Sequence, residues 1–155
     1  MRLIKRYMPL SRIIMIMAVA SLVMGVVFIV QGVTKADWMT DAMRLEQVTV
    51  GLSEEAIENG NVVDTAAEAQ AAGDTIREHR RGIAATYNEL LGGGRYDPTN
   101  PDHLTYAQAL NMENYLYLGV LGFGVTQIAM AAGAFMIFTG IGLGAASLAL
   151  RRRPA

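Results

Sequence analysis

Residues 13–33 read IIMIMAVASLVMGVVFIVQGV. No side chain in this run ionises, and Ser21 and Gln31 are its strongly polar members. About 20 apolar residues in a helix cross a ~30 Å hydrocarbon core, so the run is a candidate transmembrane helix. Arg2, Lys5, Arg6 and Arg12 precede it, as basic residues also precede the apolar core of a secretory signal. Ala18-Val19-Ala20 offers a small-x-small cleavage pattern. Cleavage there would leave only residues 13–17 as the apolar core, which is too short for a signal, so a retained span is expected.

A second apolar run covers residues 114–150, NYLYLGVLGFGVTQIAMAAGAFMIFTGIGLGAASLAL, whose only ionisable groups are the phenols of Tyr115 and Tyr117. From Tyr115 onward it would extend about 54 Å as an α-helix at ~1.5 Å per residue. That exceeds one perpendicular crossing. Two crossings need roughly 40 residues and a turn, and neither Pro nor a polar loop interrupts the run. A single long helix, tilted or protruding, is the reading that fits.

The chain has 155 residues, 52% of them hydrophobic, and a formal net charge of −1. That near-neutral sum hides a segregation. All 14 acidic residues lie between Asp37 and Glu113, while Arg2, Lys5, Arg6, Arg12, Arg151, Arg152 and Arg153 lie outside that interval. This excludes a simple soluble globule and a nucleic-acid binder with a basic face. With no cysteine, a disulfide-stapled secreted domain is excluded too. Basic residues flanking spans stay on the cytoplasmic side. The expected topology is therefore a cytoplasmic basic N-terminus (1–12), a first span (13–33), an acidic extracytoplasmic segment (34–113), a long second span (114–150) and a cytoplasmic basic C-terminus (151–155). Both ends are then expected on the cytoplasmic side of the membrane. Trp38, Tyr115 and Tyr117 fall at the outer edges and Tyr7 near the inner one, where amphipathic rings prefer to sit.

Small residues recur at three- and four-residue spacing in both spans. In the first they are Ala18, Ser21, Gly25 and Gly32, with Phe28 as the exception. In the second they are Gly119, Gly122, Thr126, Ala129, Gly133, Gly140, Gly144 and Ser147, with Met136 interrupting. Within lipid, helices associate through close backbone approach rather than hydrophobic gain, and such stripes permit it. Two readings remain open: the spans pack only on each other, or the second also docks on other subunits. Phe123, Phe135 and Phe138 would then face lipid or a partner. The spans contain no acid, base or histidine of the kind that marks an ion path, which leaves Gln31, Thr126, Gln127 and Thr139 as their hydrogen-bonding groups of note.

The 80 residues from Thr34 to Glu113 hold 20 Val, Ile, Leu, Met, Trp or Tyr and no Phe. So small a core is expected to lean on the membrane, a second copy or a partner. The pattern is helical. Residues 36–48 continue the first span, with Met39, Ala42, Met43 and Leu45 near one face. Val48-Thr49-Val50-Gly51 suits a short extended segment. Ser53 can cap residues 54–58. Thr65-Ala66-Ala67-Glu68 reads as a capping box opening a helix that runs to Leu91 and stops at Gly92-Gly93-Gly94. Ala69, Ala72, Ile76, His79, Ile83, Tyr87 and Leu90 would share its inner face. Arg95 to His103 is a turn-rich loop, after which Asn100 can cap a helix with Pro101 in its first turn.

Few groups carry chemistry. His79 and His103 are the only histidines, and a transition-metal centre commonly needs three or four ligands, so no metal site and no cofactor is expected. Arg77, Arg80 and Arg81 form a possible docking cluster for headgroups, an anionic cofactor or an acidic partner. The competing reading is a solvated face paired with Asp74 and Glu78. Gly92-Gly93-Gly94 lacks the Lys-Ser/Thr of a phosphate loop, and no Ser-His-Asp set can be assembled. No enzymatic activity is expected.

Leu45-x-x-Val48-Thr49, Ala69-Gln70-Ala71 with Ile76 and His79, Thr86-Tyr87-x-Glu89-Leu90 and Phe123-Gly124-Val125 resemble segments of a group of small bacterial two-span membrane proteins. Those proteins are known mainly from actinobacterial sequences, and the likeness covers about residues 13–145. Some of them carry the label of an aromatic-ring-opening dioxygenase, for which this chain offers no iron-ligand constellation. The resemblance implies a topology and no activity.

The expected fold is an all-α membrane protein, two transmembrane helices extended into a small helical extracytoplasmic cap. The expected role is a non-catalytic accessory subunit, in contact with the lipid bilayer and other integral membrane subunits. A homo-oligomeric two-span channel is the alternative. A cap-domain binder or sensor is a third reading, with little chain beyond the second span to act as an effector.

Overall fold

The computed structural model describes residues 2–152, with side chains from Leu10 onward. The side chains of Arg2, Lys5 and Arg6, the Tyr7 expected at the inner edge, and the tail from Arg153 lie outside the described residues. Five helices follow in order: α1 (Arg2–Glu46), α2 (Glu54–Glu58), α3 (Ala66–Ile83), α4 (Tyr87–Leu91) and α5 (Pro101–Arg152). Among the described residues there is no strand. Two helices, α1 from Leu10 onward and α5, are long and apolar enough to cross a membrane. The chain divides into two compact units, Met1–Lys35 with Val125–Ala155, and Ala36–Gly124.

In the first unit α1 and α5 run antiparallel along a seam with a period of seven. The residues that α1 buries there are Ser11, Ala18, Gly25 and Gly32, and those of α5 are Thr126, Gly133, Gly140 and Ser147. Each step of seven up α1 meets a step of seven back along α5. Ser147 Oγ donates to the Ser11 carbonyl at 2.7 Å. A methyl added at Gly140 would sit 2.9 Å from the Ala18 carbonyl oxygen, and one at Gly32 would sit 3.0 Å from that of Thr126. Gly25 and Gly133 meet backbone to backbone: a methyl on either would lie 2.7 or 2.6 Å from the other's carbonyl oxygen. Ser21 Oγ adds a 2.7 Å bond to the Met136 carbonyl. A strict seven-residue repeat keeps two helices in contact through a left-handed supercoil, and small residues at the seam give the close approach that lipid-embedded helices depend on. The opposite faces carry large apolar side chains outward, Phe135 and Phe138 being 71% and 74% exposed.

The second unit has its own core. Met43 of α1, Val63, Ala69, Ala72 and Ile76 around α3, and Leu116 and Phe123 of α5 pack together, flanked by Met39, Val48 and Leu52. Phe123 was expected to face lipid or a partner; it is buried instead, because the α5 segment below residue 125 covers α3. Gly51, in the left-handed region at φ 82°, lets the loop after α1 come within 3.0 Å of Ala72, measured from where a Cβ would stand.

Local signals set the boundaries. Ser53 caps α2 by accepting from the Ala56 N–H, and Thr65 with Glu68 forms the reciprocal capping box at α3. The helix expected to run from Thr65 to Leu91 is broken at Ala84, which is extended at φ −155°, ψ 140°. The break has a local cause. Thr86 accepts from the Glu89 N–H while Glu89 reaches back to the Ala85 N–H, a second T-x-x-E cap that starts α4. Gly92, left-handed at φ 54°, ends it. In the Val48–Gly51 stretch Val48 and Thr49 are irregular and Val50 and Gly51 turn, with the Val63 N–H bonded to the Val48 carbonyl at 2.7 Å. Asn100 caps α5 through a 2.9 Å bond from the Asp102 N–H, and the helix then continues unbroken to Arg152.

Candidate functional site

The second unit concentrates its polar groups where α3 faces α5. Arg77 and Arg80 stand one turn apart on α3. Opposite them α5 supplies Tyr106, Glu113 and Tyr117, spaced so that all three share a face. Arg80 Nε donates to one Glu113 oxygen at 2.7 Å and Arg77 Nε to the other at 3.1 Å. Arg80 also donates to the Tyr106 hydroxyl, and its guanidinium lies 4.8 Å from that ring's centre. Arg77 lies 4.6 Å from the centre of the Tyr117 ring. The Tyr117 hydroxyl donates to Asp74 at 2.6 Å. Asp74 also pairs with Arg77 at 3.3 Å and accepts from Gln70 at 3.0 Å. Tyr117 reaches this position because residue 73 is glycine: a Cβ there would stand 3.0 Å from the ring.

The electrostatics follow from this geometry. Burial works against charge on Glu113, yet the bonds and charges of Arg80 and Arg77 outweigh it and hold the carboxyl below its usual range. The hydrogen bond from Tyr117 is the main reason Asp74 is also held below the usual carboxylate range, with Gln70 and Arg77 adding to it. Both arginines are pushed above their ordinary value, chiefly by the bond to Glu113. A carboxylate shared by two guanidiniums is a poor base and a poor nucleophile. Charge-assisted bonds of this kind are the strong ones, and their chemistry here is that of a clasp between α3 and α5. Among the described residues, every buried side-chain nitrogen and oxygen has a partner, and no three His, Cys, Asp or Glu stand together as metal ligands.

The expectations for this region are partly corrected. Arg80 is buried against Glu113, Arg77 is half-exposed and paired with both Asp74 and Glu113, and Arg81 is exposed. Of the acids expected to pair with them, Asp74 does and Glu78 does not, while Glu113 is the main partner. His79 was expected on the inner face of α3 and is exposed, because Arg80 takes that place one turn after Ile76. His103 is buried in the first turn of α5. Its Nδ1 accepts from the Asp97 N–H at 2.9 Å and its Nε2 donates to the Leu90 carbonyl at 3.1 Å, so it ties the preceding loop to the helix, with the Tyr96 ring stacked 5.7 Å away.

The packing residues fall in two groups. Ala18, Gly25, Gly32, Thr126, Gly133 and Gly140 form the seam of the first unit; Ser21, Ala129 and Gly144 flank it, half-buried. Gly119 and Gly122 lie in the second unit, against Met43 and Met39 respectively. Trp38 and Tyr115 are exposed, whereas Tyr117 is spent on Asp74 and Arg77. Leu45, expected near one face with Met39, Ala42 and Met43, is 83% exposed while Met43 is buried. Ser11, Tyr106 and Glu113 carry the structure without having been singled out. Ser11 was legible as the first member of a heptad continued by Ala18, Gly25 and Gly32. Nothing local marks Tyr106 and Glu113. Compared with known family models, curated proteins and solved structures, the chain matches none of them.

Proposed function

We propose that the chain is a non-catalytic accessory subunit of a larger bacterial membrane protein complex. Its two apolar helices would cross the cytoplasmic membrane with both basic ends inside, and the acidic second unit would stand on the extracytoplasmic side. With residues 115–124 engaged in the second unit, α5 keeps residues 125–150 for the crossing. That is about 39 Å of helix at ~1.5 Å per residue, near the thickness of one bilayer with its interfaces.

The observation that carries the subunit reading is the uncovered apolar surface of the second unit. Leu45 is 83%, Trp38 65%, Leu118 65% and Leu121 63% exposed. Large exposed apolar side chains on one body mark a surface made for protein or lipid. The seam glycines are engaged within the chain, so partners would meet this apolar surface and the outward face of α5 rather than the small-residue stripe. Purification in mild detergent, with mass spectrometry of co-migrating chains, tests the reading. A stable complex with other integral membrane proteins is expected. A closed ring of this chain alone, with a continuous axial path, would replace it with the homo-oligomeric channel.

A further inference from the structure

In the first unit α1 and α5 are joined near residue 11 by polar bonds between residues 136 and 140 positions apart. Arg151 Nε donates to Ser11 Oγ at 3.2 Å, one turn beyond the Ser147 bond to the Ser11 carbonyl. The bond uses one of the five N–H groups of the guanidinium, and Arg151 is itself exposed. Arg12 and Arg152 are the sequence neighbours of this pair, and both are exposed. None of Arg12, Arg151 and Arg152 makes an ion pair among the described residues. Nor does the first unit hold an acid, since every Asp and Glu lies between Asp37 and Glu113. From Arg12 to Asp37 along α1 is about 37 Å at ~1.5 Å per residue, several Debye lengths at physiological salt. Among the described residues, these three cations therefore have no counter-charge within their own unit. Beside these cations, Leu10, Ile13 and Leu148 present exposed apolar side chains, so cationic and apolar surface adjoin at one level of the helix pair.

We propose that α1 and α5, joined near residue 11, form a seat for an anionic phospholipid. Arg151, oriented by Ser11, takes the phosphodiester with its planar fork, Arg12 and Arg152 add charge, and the acyl chains lie against Leu10, Ile13 and Leu148. This rests on the membrane-spanning reading. An acidic protein segment would match the charge but not the adjoining apolar side chains, so lipid is the occupant the surface fits.

The test uses the full chain in vesicles of one part phosphatidylglycerol to three parts phosphatidylcholine, followed by native mass spectrometry of the lipids retained on extraction. Phosphatidylglycerol should be enriched about fivefold over its share of the bilayer, the bias expected for one basic side chain at an anionic surface. The enrichment should vanish in R151Q/R152Q, weaken in S11A and persist in R95Q, which changes an exposed arginine of the other unit. Millimolar inorganic phosphate should not displace the lipid. Absence of enrichment, equal loss in R95Q, displacement by phosphate, or an acidic polypeptide retained in place of lipid would each overturn the proposal. Carbonate extraction separates the two layers of the argument. A chain that resists extraction yet shows no lipid preference loses the seat alone, and a chain that is extracted loses both the seat and the membrane-spanning reading.

Discussion

At the scale of single residues, Glu113 decides most. Its carboxylate, 8% exposed, receives both arginines of α3. Glu113→Gln would leave Arg80 buried without its counter-charge, a loss typically about 3–5 kcal/mol for a broken buried pair. Thermal unfolding followed by circular dichroism in detergent should show a large drop in midpoint. The paired change R80M/E113L, which removes both charges, should recover most of it, and a double variant as weak as the single would contradict the clasp. The pH dependence has a defined sign. Glu113 and Asp74 are both held below their ordinary values of 4.5 and 3.8. Their contribution is full above those ordinary values and is lost as pH falls through the lowered ones. The midpoint should therefore be flat with respect to these two groups above about pH 5 and fall below about pH 4, and the acid-side fall should shrink in E113Q. The Asp74–Arg77 pair was legible from its spacing, whereas the pairing of Glu113 was not. Arg80 and Glu113 are 33 residues apart, and the face of α5 that meets α3 is set by the loop between them, which no periodicity encodes.

At the scale of elements, the sequence holds more than its apolar periodicity conveys. Thr86-Tyr87-Asn88-Glu89 has the same T-x-x-E form as Thr65-Ala66-Ala67-Glu68, yet the apolar periodicity running past it favours one continuous helix. The caps win because each satisfies backbone N–H groups that the break exposes. Thr86→Ala should cost about 1 kcal/mol and raise amide exchange selectively in residues 87–91; unchanged exchange there would show that α4 stands without its cap. The seam repeats the lesson, since three-and-four spacing describes it but the strict seven-residue period gives the register. Because the natural chain has no cysteine, the register can be read chemically. S11C/S147C should form an intrachain disulfide on mild oxidation, and S11C/G133C should not. Adding Gly25→Leu, whose side chain would stand against the Gly133 carbonyl, should suppress the first cross-link. Equal cross-linking of both pairs would refute the register.

At the scale of the whole molecule, charge segregation and two apolar runs predicted two long helices with a small helical segment between them, and the helices are there. The run of 37 apolar residues did not reveal its division of labour. Composition is the same on both sides of residue 125, and only packing assigns Leu116 and Phe123 to the core of the second unit while Gly133 and Gly140 close the helix pair. The proposal that α1 and α5 both cross the membrane puts residues 78 and 152 on opposite sides of it. Single-cysteine variants E78C, on exposed α3, and R152C, at the end of α5, test it in intact cells with a membrane-impermeant thiol reagent. Labelling is expected at 78 without lysis and at 152 only after lysis. Labelling of both positions from the same side would contradict it.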